Sequence, residues 1–404
     1  MGRVLIVGGG MAGDALAVML GRAGWDVTVA ELAGGVRSGG QTVDLRGPST
    51  AVLDRLGLLG AARARLVTQR GIAWVDRDGR DLGRMPVEAF AGAGFVSEFE
   101  LLRLDLAQLL HDAARLTAEL RFGETVEQVQ ERCDGVEVVF RSGGTSRFDL
   151  VVGADGTHSR VRELTHGAES LFRRPLGLAH AWYTLHESDG TPELDGWWLT
   201  HNALDRRTVE ARPGHSGQQE IGFSFAAHEL PDRRDKAAQV ELLHRRFAGV
   251  GWRAPELLQH ASTAEDFAMD TFDQIRVPAW HTERTVLLGD AAWCASPLSG
   301  LGTALALAGA DALAASLGAP GPAGAAPTAA LVAFERAFRP TVEAAQKLIP
   351  GRVRMYAPRT RIGSRATIAT YRAAQSAPIS ALLTRAAARY GHDQDSASLA
   401  TAGR

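Results

Sequence analysis

The chain has 404 residues, of which 45% are apolar and 22% charged, and its formal net charge is −2. That length accommodates two domains with separate cores. The balanced charge lacks the basic excess that nucleic acid or an anionic membrane surface requires. Only two of the 44 basic residues are lysines, Lys236 and Lys347, so chemistry needing an active-site lysine has two candidates. Two cysteines, Cys133 and Cys294, make neither a disulfide framework nor a zinc site, and no metal centre is expected. The start, MGRVLIVGGG, lacks the basic n-region and long apolar h-region of a signal peptide. The longest apolar stretch, residues 301–317, falls short of the ~20 residues of a membrane span. A cytoplasmic protein without stable membrane association, monomeric or homodimeric, is expected.

Residues 4–7, VLIV, form a continuous apolar run, as in a strand buried on both faces of a parallel sheet. Gly8-Gly9-Gly10-Met11-Ala12-Gly13 follows and fits G-x-G-x-x-G, before a helix over residues 15–20 and a second strand at residues 27–29. Glu31 ends that strand, eighteen positions after Gly13. In this order each residue type has a reason. Gly8 permits the tight turn, Gly10 lets the backbone approach a pyrophosphate, and Gly13 lets helix and strand pack closely. The helix N-terminus offers N–H groups to phosphate, and Glu31 would accept from ribose hydroxyls. The position of the motif at the head of the chain favours a permanently bound FAD over a diffusing nicotinamide cofactor.

Further along, Arg103 stands at the entrance of a helix that places Leu106, Leu109 and Leu110 on one face. Residues 136–140 and 147–152 read as a hairpin around Ser142-Gly143-Gly144, and its second strand runs into GADGTHSRVR, which contains Asp155 and Gly156. From about Gly177 to Ala226 strands alternate at period two, as in an antiparallel sheet with one packed face. There Ile221, Phe223 and Phe225 share a face, while Trp197 and Trp198 point to opposite faces. Residues 286–288 form another buried strand. It stops at Gly289-Asp290 and is followed by a Pro/Ser/Gly turn and an Ala/Leu helix whose one charge is Asp311. Alone, Asp290 reads as a helix cap. Together, Asp155 and Asp290 terminate two strands, and ligands of open α/β sheets lie outside such ends, so the two acids fit opposite sides of one long ligand.

GGGMAG, GADGTHSRVR and LLGDAAWCASPLSGLGTALALAGADALA, in this order over residues 3–320, resemble the single-component FAD-dependent aromatic hydroxylases of the p-hydroxybenzoate hydroxylase fold. The resemblance implies an α/β fold: a Rossmann-like FAD-binding domain, an inserted antiparallel-sheet substrate domain and C-terminal helices. The implied boundaries are 1–175 with a small β-rich part around 70–100, then 176–275, a return at 276–325, and helices over 326–404. It also implies that Gly8, Gly10, Met11, Ala12, Gly13 and Glu31 bind the ADP half of FAD, with Val126 in the same cofactor set. Arg103 would touch the ribityl–phosphate region. Gly289 and Asp290 would hold the ribityl chain, and Pro297, Gly300, Leu301, Gly302 and Thr303 would lie against the isoalloxazine. Asp155 and Gly156 are associated with FAD and NAD(P)H.

Three positions depart from the usual late motif: Trp293 replaces a common His, Leu301 a Gln and Thr303 an Asn. Residues 39–46, GGQTVDLR, look most like the tetracycline-modifying branch and make Asp44 and Arg46 flavin neighbours. Trp182, His201, Arg212, Phe223 and Phe225 are the candidate substrate contacts, with His180 a further polar one. The helical C-terminus shows no further βαβ unit, so a thioredoxin-like extension is not expected, and a helix bridging the domains is. The implied activity is an NAD(P)H- and O2-dependent monooxygenase working through a flavin C4a-hydroperoxide on an aromatic, polycyclic or polyketide-like small molecule, with no obligatory acid–base residue named. Two rivals are a flavin-dependent halogenase, against which stands the absence of lysine before residue 236, and a non-catalytic flavin-binding protein.

Overall fold

The computed structural model describes residues 2–36, 39, 41–45, 47–89, 99–188, 191–322 and 324–374. The chain opens with β1 (Arg3–Val7), α1 (Met11–Arg22) and β2 (Asp26–Glu31). A short strand β3 (Thr42–Asp44) leads to α2 (Pro48–Leu56) and α3 (Leu59–Arg63). Next come β4 (Gly71–Val75) and β5 (Asp81–Pro86), then β6 (Glu100–Leu102) running straight into α4 (Arg103–Ala114). β7 (Glu119–Phe122) precedes β8 (Val126–Arg132), β9 (Gly135–Phe140), β10 (Thr145–Phe148), β11 (Leu150–Gly153) and α5 (Arg160–His166). The middle holds β12 (Arg173–His186), β13 (Trp197–Asn202), β14 (Thr208–Pro213), β15 (Gln218–Phe225), α6 (Lys236–Phe247), α7 (Ala254–Ala261) and β16 (Ala268–Ile275). Last are β17 (Thr285–Leu287), α8 (Asp290–Trp293), α9 (Gly302–Leu317), α10 (Thr328–Gln346), α11 (Arg352–Tyr356) and α12 (Arg361–Ala374).

A five-stranded sheet in the order β17-β11-β1-β2-β7 forms the first layer, and all its pairings are parallel. Its central strand β1 buries residues 4–7 completely or nearly so, which is why that run carries no polar residue. α1 packs against α4 and α9, and the antiparallel sheet β10-β9-β8 packs against β1 and β11. The expected hairpin is β9–β10. Asp149 then separates it from β11, which leaves for the parallel sheet beside β1. α9 is buried only along Leu305, Leu307, Gly309, Ala310 and Leu313, and Asp311 on its open side pairs with Arg55 of α2 at 2.6 Å.

The second body is a seven-stranded sheet, β16-β12-β15-β14-β13-β4-β5. β4 joins it through a parallel pairing with β13, so the strands near 70–86 belong to the substrate sheet and not to the FAD-binding domain. Its outer face, with Ala181, Tyr183, Ile221 and Phe223, is covered by Leu243, Phe247, Leu257 and Leu258 of α6 and α7. The C-terminal helices bridge the two bodies as expected. α10 seats Phe334 and Phe338 against Trp280 and Trp293, and Gln346 at its end donates to Ile275 O at 2.8 Å. α12 lays Tyr371 on Trp74 of β4 with ring centroids 5.0 Å apart. The expected helix beyond residue 374 lies outside the described residues. Among the described residues no helix is long and apolar enough to cross a membrane, and no cluster of His, Cys, Asp and Glu is arranged for a metal ion.

Candidate cofactor and substrate site

The glycine loop between β1 and α1 separates two roles. Gly8 has φ +105°, and a Cβ there would lie 2.5 Å from Ala154 O at the end of β11. A Cβ on Gly13 would be driven into the Gly8 carbonyl oxygen. These two glycines hold the loop closed against the protein. Gly10 does the opposite: a Cβ there meets nothing within 4 Å. It is the N-cap of α1 with no side-chain cap, so first-turn N–H groups at Met11 and Ala12 lack a capping acceptor and suit a phosphate. Gly156, Gly300 and Gly302 likewise face open space. A closed loop with an open outer edge is the cradle that an FAD pyrophosphate and isoalloxazine fit.

Glu31 Oε2 accepts from Gly9 N at 2.9 Å and Oε1 accepts from Ala33 N at 2.7 Å. Its carboxylate therefore fixes the glycine loop. Glu31→Ala is expected to weaken FAD binding about ten- to a hundredfold, the size of one charged hydrogen bond of ~1.5–3 kcal/mol. Fluorescence titration of the apoprotein with FAD measures it, and an unchanged dissociation constant would place the ribose elsewhere. Beneath Gly9 lies a residue that sequence reasoning missed. Asp14 is 2% exposed, its Oδ1 has no hydrogen-bond partner, and Oδ2 lies 3.6 Å from His111 Nδ1 of α4. Burial, helped by the nearby Glu31 charge, pushes its carboxyl up to about 7. Helical position alone gives no sign of it, since its partners lie on other elements.

β11 and β17 are parallel neighbours, so Asp155 and Asp290 follow the ends of adjacent strands. Their side chains behave differently. Asp155 turns inward and caps α5, accepting from Ser159 Oγ at 2.5 Å, Arg160 N at 2.7 Å and Val161 N at 3.0 Å. Three acceptor bonds thus tie Asp155 to Ser159, the N-cap of α5, and to the first turn of that helix. Asp290 is exposed. The N-cap of α8 is Gly289, φ 65°, with no side-chain cap, so Asp290 is not the cap of that helix. A Cβ on Gly289 would lie 3.2 Å from that of Ala12, which brings the late turn onto the start of α1. The Asp290 carboxyl is accessible but recessed. Desolvation raises its pKa, against the pull of the Arg103 guanidinium from the head of α4. Arg162, fully buried, joins the two motifs by donating to Ala291 O at 2.9 Å and Thr157 O at 2.8 Å.

The three departures in the late motif have local reasons. Trp293 is buried 4.3 Å from the Trp280 ring and forms core, not cofactor surface. Leu301 is exposed as the N-cap of α9, Thr303 is half-buried one residue into that helix, and Pro297 is exposed at the turn. Val126 is wholly buried, and its side chain belongs to the core. Asp44 is half-buried at the end of β3, opposite Glu100, and Arg46 lies outside the described residues.

The DG motif also carries His158, whose Nδ1 lies 3.0 Å from Glu169 and whose Nε2 lies 3.3 Å from Asp270 on β16. Hydrogen bonds to Asp270 and Glu169 raise its pKa to about 9, against the effect of burial. A raised histidine stabilises the fold fully below its unfolded pKa of about 6.5, and that contribution disappears as pH climbs through about 9. Between those values the wild type is expected to lose on the order of 3 kcal/mol relative to His158→Asn. Denaturant titrations of both proteins at several pH values measure this, and parallel pH profiles would refute it.

The inner face of the substrate sheet carries His180, Trp182, Glu210, Arg212, Glu220 and Ser224 in register. Trp182 and Arg212 thus share one face of the sheet. His180 Nδ1 and Ser224 Oγ are 2.7 Å apart, Ser224 Oγ and Tyr356 OH are 2.8 Å apart, and Tyr356 donates to Glu210 Oε2 at 3.3 Å. Burial pushes both Glu210 and Glu220 up to about 7, with Arg212 opposing. Leu298, beside Gly300, packs with Leu178 and Phe272 below this face. Phe223 and Phe225 sit on the other face, 5.0 and 6.0 Å from the Phe247 ring, and are corrected to core. His201 is also on that face, with its Nδ1 3.0 Å from Val75 O, and is a satisfied core histidine.

Over residues 1–348 the chain matches the family described as FAD binding domain. It is similar to an uncharacterized protein of Mycobacterium tuberculosis, 40% identical over 323 residues that cover 80% of this chain and 86% of that protein. The FAD-dependent monooxygenase asL4 of Sarocladium schorii is 31% identical over 320 residues, 77% of this chain and 74% of that protein. Among solved structures, the tetracycline destructase Tet(51) is similar with a TM-score of 0.77 and 26% identity, covering 93% of this chain and 98% of that one.

Proposed function

Because the chain belongs to the FAD binding domain family and its flavin-dependent monooxygenases, we propose that it oxygenates an aromatic or polyketide-like small molecule, with NAD(P)H as reductant and O2 as oxidant. The observation that carries this reading is the pairing of an open glycine turn at the head of α9 with a polar and aromatic sheet face. Similarity to a tetracycline destructase supports a polycyclic substrate of polyketide type. Bound FAD supplies hydride acceptance and activation of O2.

The chain's own residues bind, orient and shield. The α1 N-terminus and Gly10 take the pyrophosphate, Glu31 the ribose, and Asp290 with Arg103 the ribityl region. Gly300 to Thr303 present the α9 N-terminus to the pyrimidine edge, where its dipole stabilises negative charge. Trp182 and Arg212 roof the substrate, and the sheet above the flavin shields it from water. Lys236 sits on the far side of the sheet and donates to Ala264 O at 2.6 Å, and Lys347 is exposed, which disfavours a halogenase needing a cleft lysine. The buried Trp293 removes one reason to suspect a non-catalytic relative. Exposed, unpaired Cys133 suits a reducing cytoplasm, where the protein works as a monomer or homodimer.

Mass spectrometry with labelled O2 and a panel of polycyclic phenols tests the proposal. One labelled oxygen atom per product, with substrate-stimulated NAD(P)H consumption, is expected. NAD(P)H consumption indifferent to every substrate and yielding only hydrogen peroxide would overturn it.

A further inference from the structure

The two-stranded ribbon β3–β6 carries Asp44 and runs directly into Arg103, which leads α4. Its side chains reach across to the substrate sheet at three places. Gln41 Nε2 meets His180 Nε2, Arg212 donates to Glu100 Oε2, and Glu220 Oε2 accepts from both Thr42 N at 2.9 Å and Thr42 Oγ1 at 3.0 Å. Of the three, the Glu220 link is distinct because one carboxylate oxygen takes two donors of a single ribbon residue and so fixes its rotation as well as its distance.

Glu220 is also an expensive residue to place there. It is 9% exposed, and its Oε1 is buried without a hydrogen-bond partner. Two further carboxylates, Glu100 and Glu210, surround the same Arg212, so one guanidinium faces three acids. A buried charge with an unsatisfied oxygen destabilises a fold, and a neutral side chain of similar shape would be better tolerated.

We propose that Glu220 is a positioning residue for the flavin: by holding Thr42 it sets where the ribbon, with Asp44 and Arg103, meets the cofactor. This rests on the reading of Asp44 and Arg103 as flavin contacts. The substrate sheet thereby governs the seat of the cofactor through one residue that none of the sequence motifs contains. Substrate bound on the inner face would meet the same strand, β15, that fixes the ribbon.

The test uses the holoprotein and three variants, Glu220→Gln, Thr42→Val and the double variant, all close in shape to the original. The readouts are the FAD dissociation constant on reconstitution, the position of the flavin visible band, and the ratio of hydrogen peroxide to oxygenated product. Glu220→Gln is expected to weaken FAD roughly three- to thirtyfold, to shift the band and to raise the peroxide share. Thr42→Val should move all three in the same direction, and the double variant should be less than additive, because both weaken one link: Gln keeps an acceptor but loses the charge assistance, and Val keeps the N–H but loses the hydroxyl. A Glu220→Gln protein with a lower melting temperature but unchanged FAD affinity and band would overturn the proposal, as would additive effects in the double variant. If Glu220→Gln does not fold, Thr42→Val decides alone: unchanged affinity and band there also overturn it. Failure of the wild type to oxygenate any substrate would sink the monooxygenase reading, while the affinity and band measurements would still judge Glu220.

Discussion

Gly10→Val is expected to fold like the wild type and to bind FAD at least a hundredfold more weakly. Gly10 has φ −99° and ψ −171°, extended backbone that a β-branched residue adopts without strain. A Cβ there meets no heavy atom within 4 Å, so no neighbour must move. Losing a favourable N-cap residue costs about 1 kcal/mol, and replacing glycine returns roughly 0.4–1 kcal/mol by restricting the unfolded chain. Apoprotein stability should therefore stay within about 1 kcal/mol of the wild type. The two methyl groups would fill the space that the pyrophosphate needs, and they would shield the first-turn N–H groups of α1. Hydrogen bonds to a charged group contribute ~1.5–3 kcal/mol each, so losing two or more weakens FAD at least a hundredfold. Gly13→Val should behave oppositely, because its Cβ would strike the Gly8 carbonyl and the fold itself would fail. Flavin absorbance of the purified variants and apoprotein melting curves separate the two outcomes. A yellow Gly10→Val protein of normal affinity would show that the cofactor does not cross this loop.

The contrast shows what kind of information the sequence held. The glycine loop, Glu31 and the buried strand β1 were legible because each requirement is local: a positive φ, a close approach, an acid at a strand end. Arg103 and the late turn were placed by resemblance, and in the structure the Arg103 charge acts on the Asp290 carboxyl. Misreadings came where the deciding partner is remote. Alternation correctly put Ile221, Phe223 and Phe225 on one face, but which face meets solvent, ligand or core depends on α6, whose Phe247 lies more than twenty positions on. Period-two patterning carries no label for that. β4 and β5 were misassigned for the same reason, since the parallel pairing of Trp197 with Gly71 spans more than a hundred residues. The bonds that Asp155 makes to Ser159, Arg160 and Val161 were not legible either, because those residues read as motif letters and not as a helix N-terminus asking for an acceptor. Asp14, Glu210 and Glu220 escaped notice altogether. An acid on a helix or strand looks solvated until its neighbours from other elements bury it.

Asp290→Ala should leave the apoprotein as stable as the wild type or more so, while FAD binding and coupling deteriorate together. A capping aspartate would cost ~0.5–2 kcal/mol on removal, but here Gly289 is the N-cap and no side chain caps α8. The desolvated carboxyl has a pKa raised above its usual 3.8, the Arg103 charge only partly offsetting burial. The sign follows by linkage: the unfolded state gives up that proton first, so ionisation of Asp290 weakens the apo fold as pH rises above about 3.8. Alanine removes this penalty, and the difference between variant and wild-type apoprotein should vanish as pH falls below that value. Loss of a charged acceptor for ribityl hydroxyls should weaken FAD about ten- to a hundredfold, matching ~1.5–3 kcal/mol. It also removes a charge that acts on Arg103, so the flavin that does bind sits loosely and water enters beside it. More hydrogen peroxide and less product per NAD(P)H consumed should follow. Melting of the apoprotein across pH, FAD titration and the peroxide-to-product ratio are measured on the same preparation. A large stability loss with normal affinity and normal coupling would make Asp290 a structural residue after all, and the cofactor seat at the Gly300–Gly302 turn would then need another anchor.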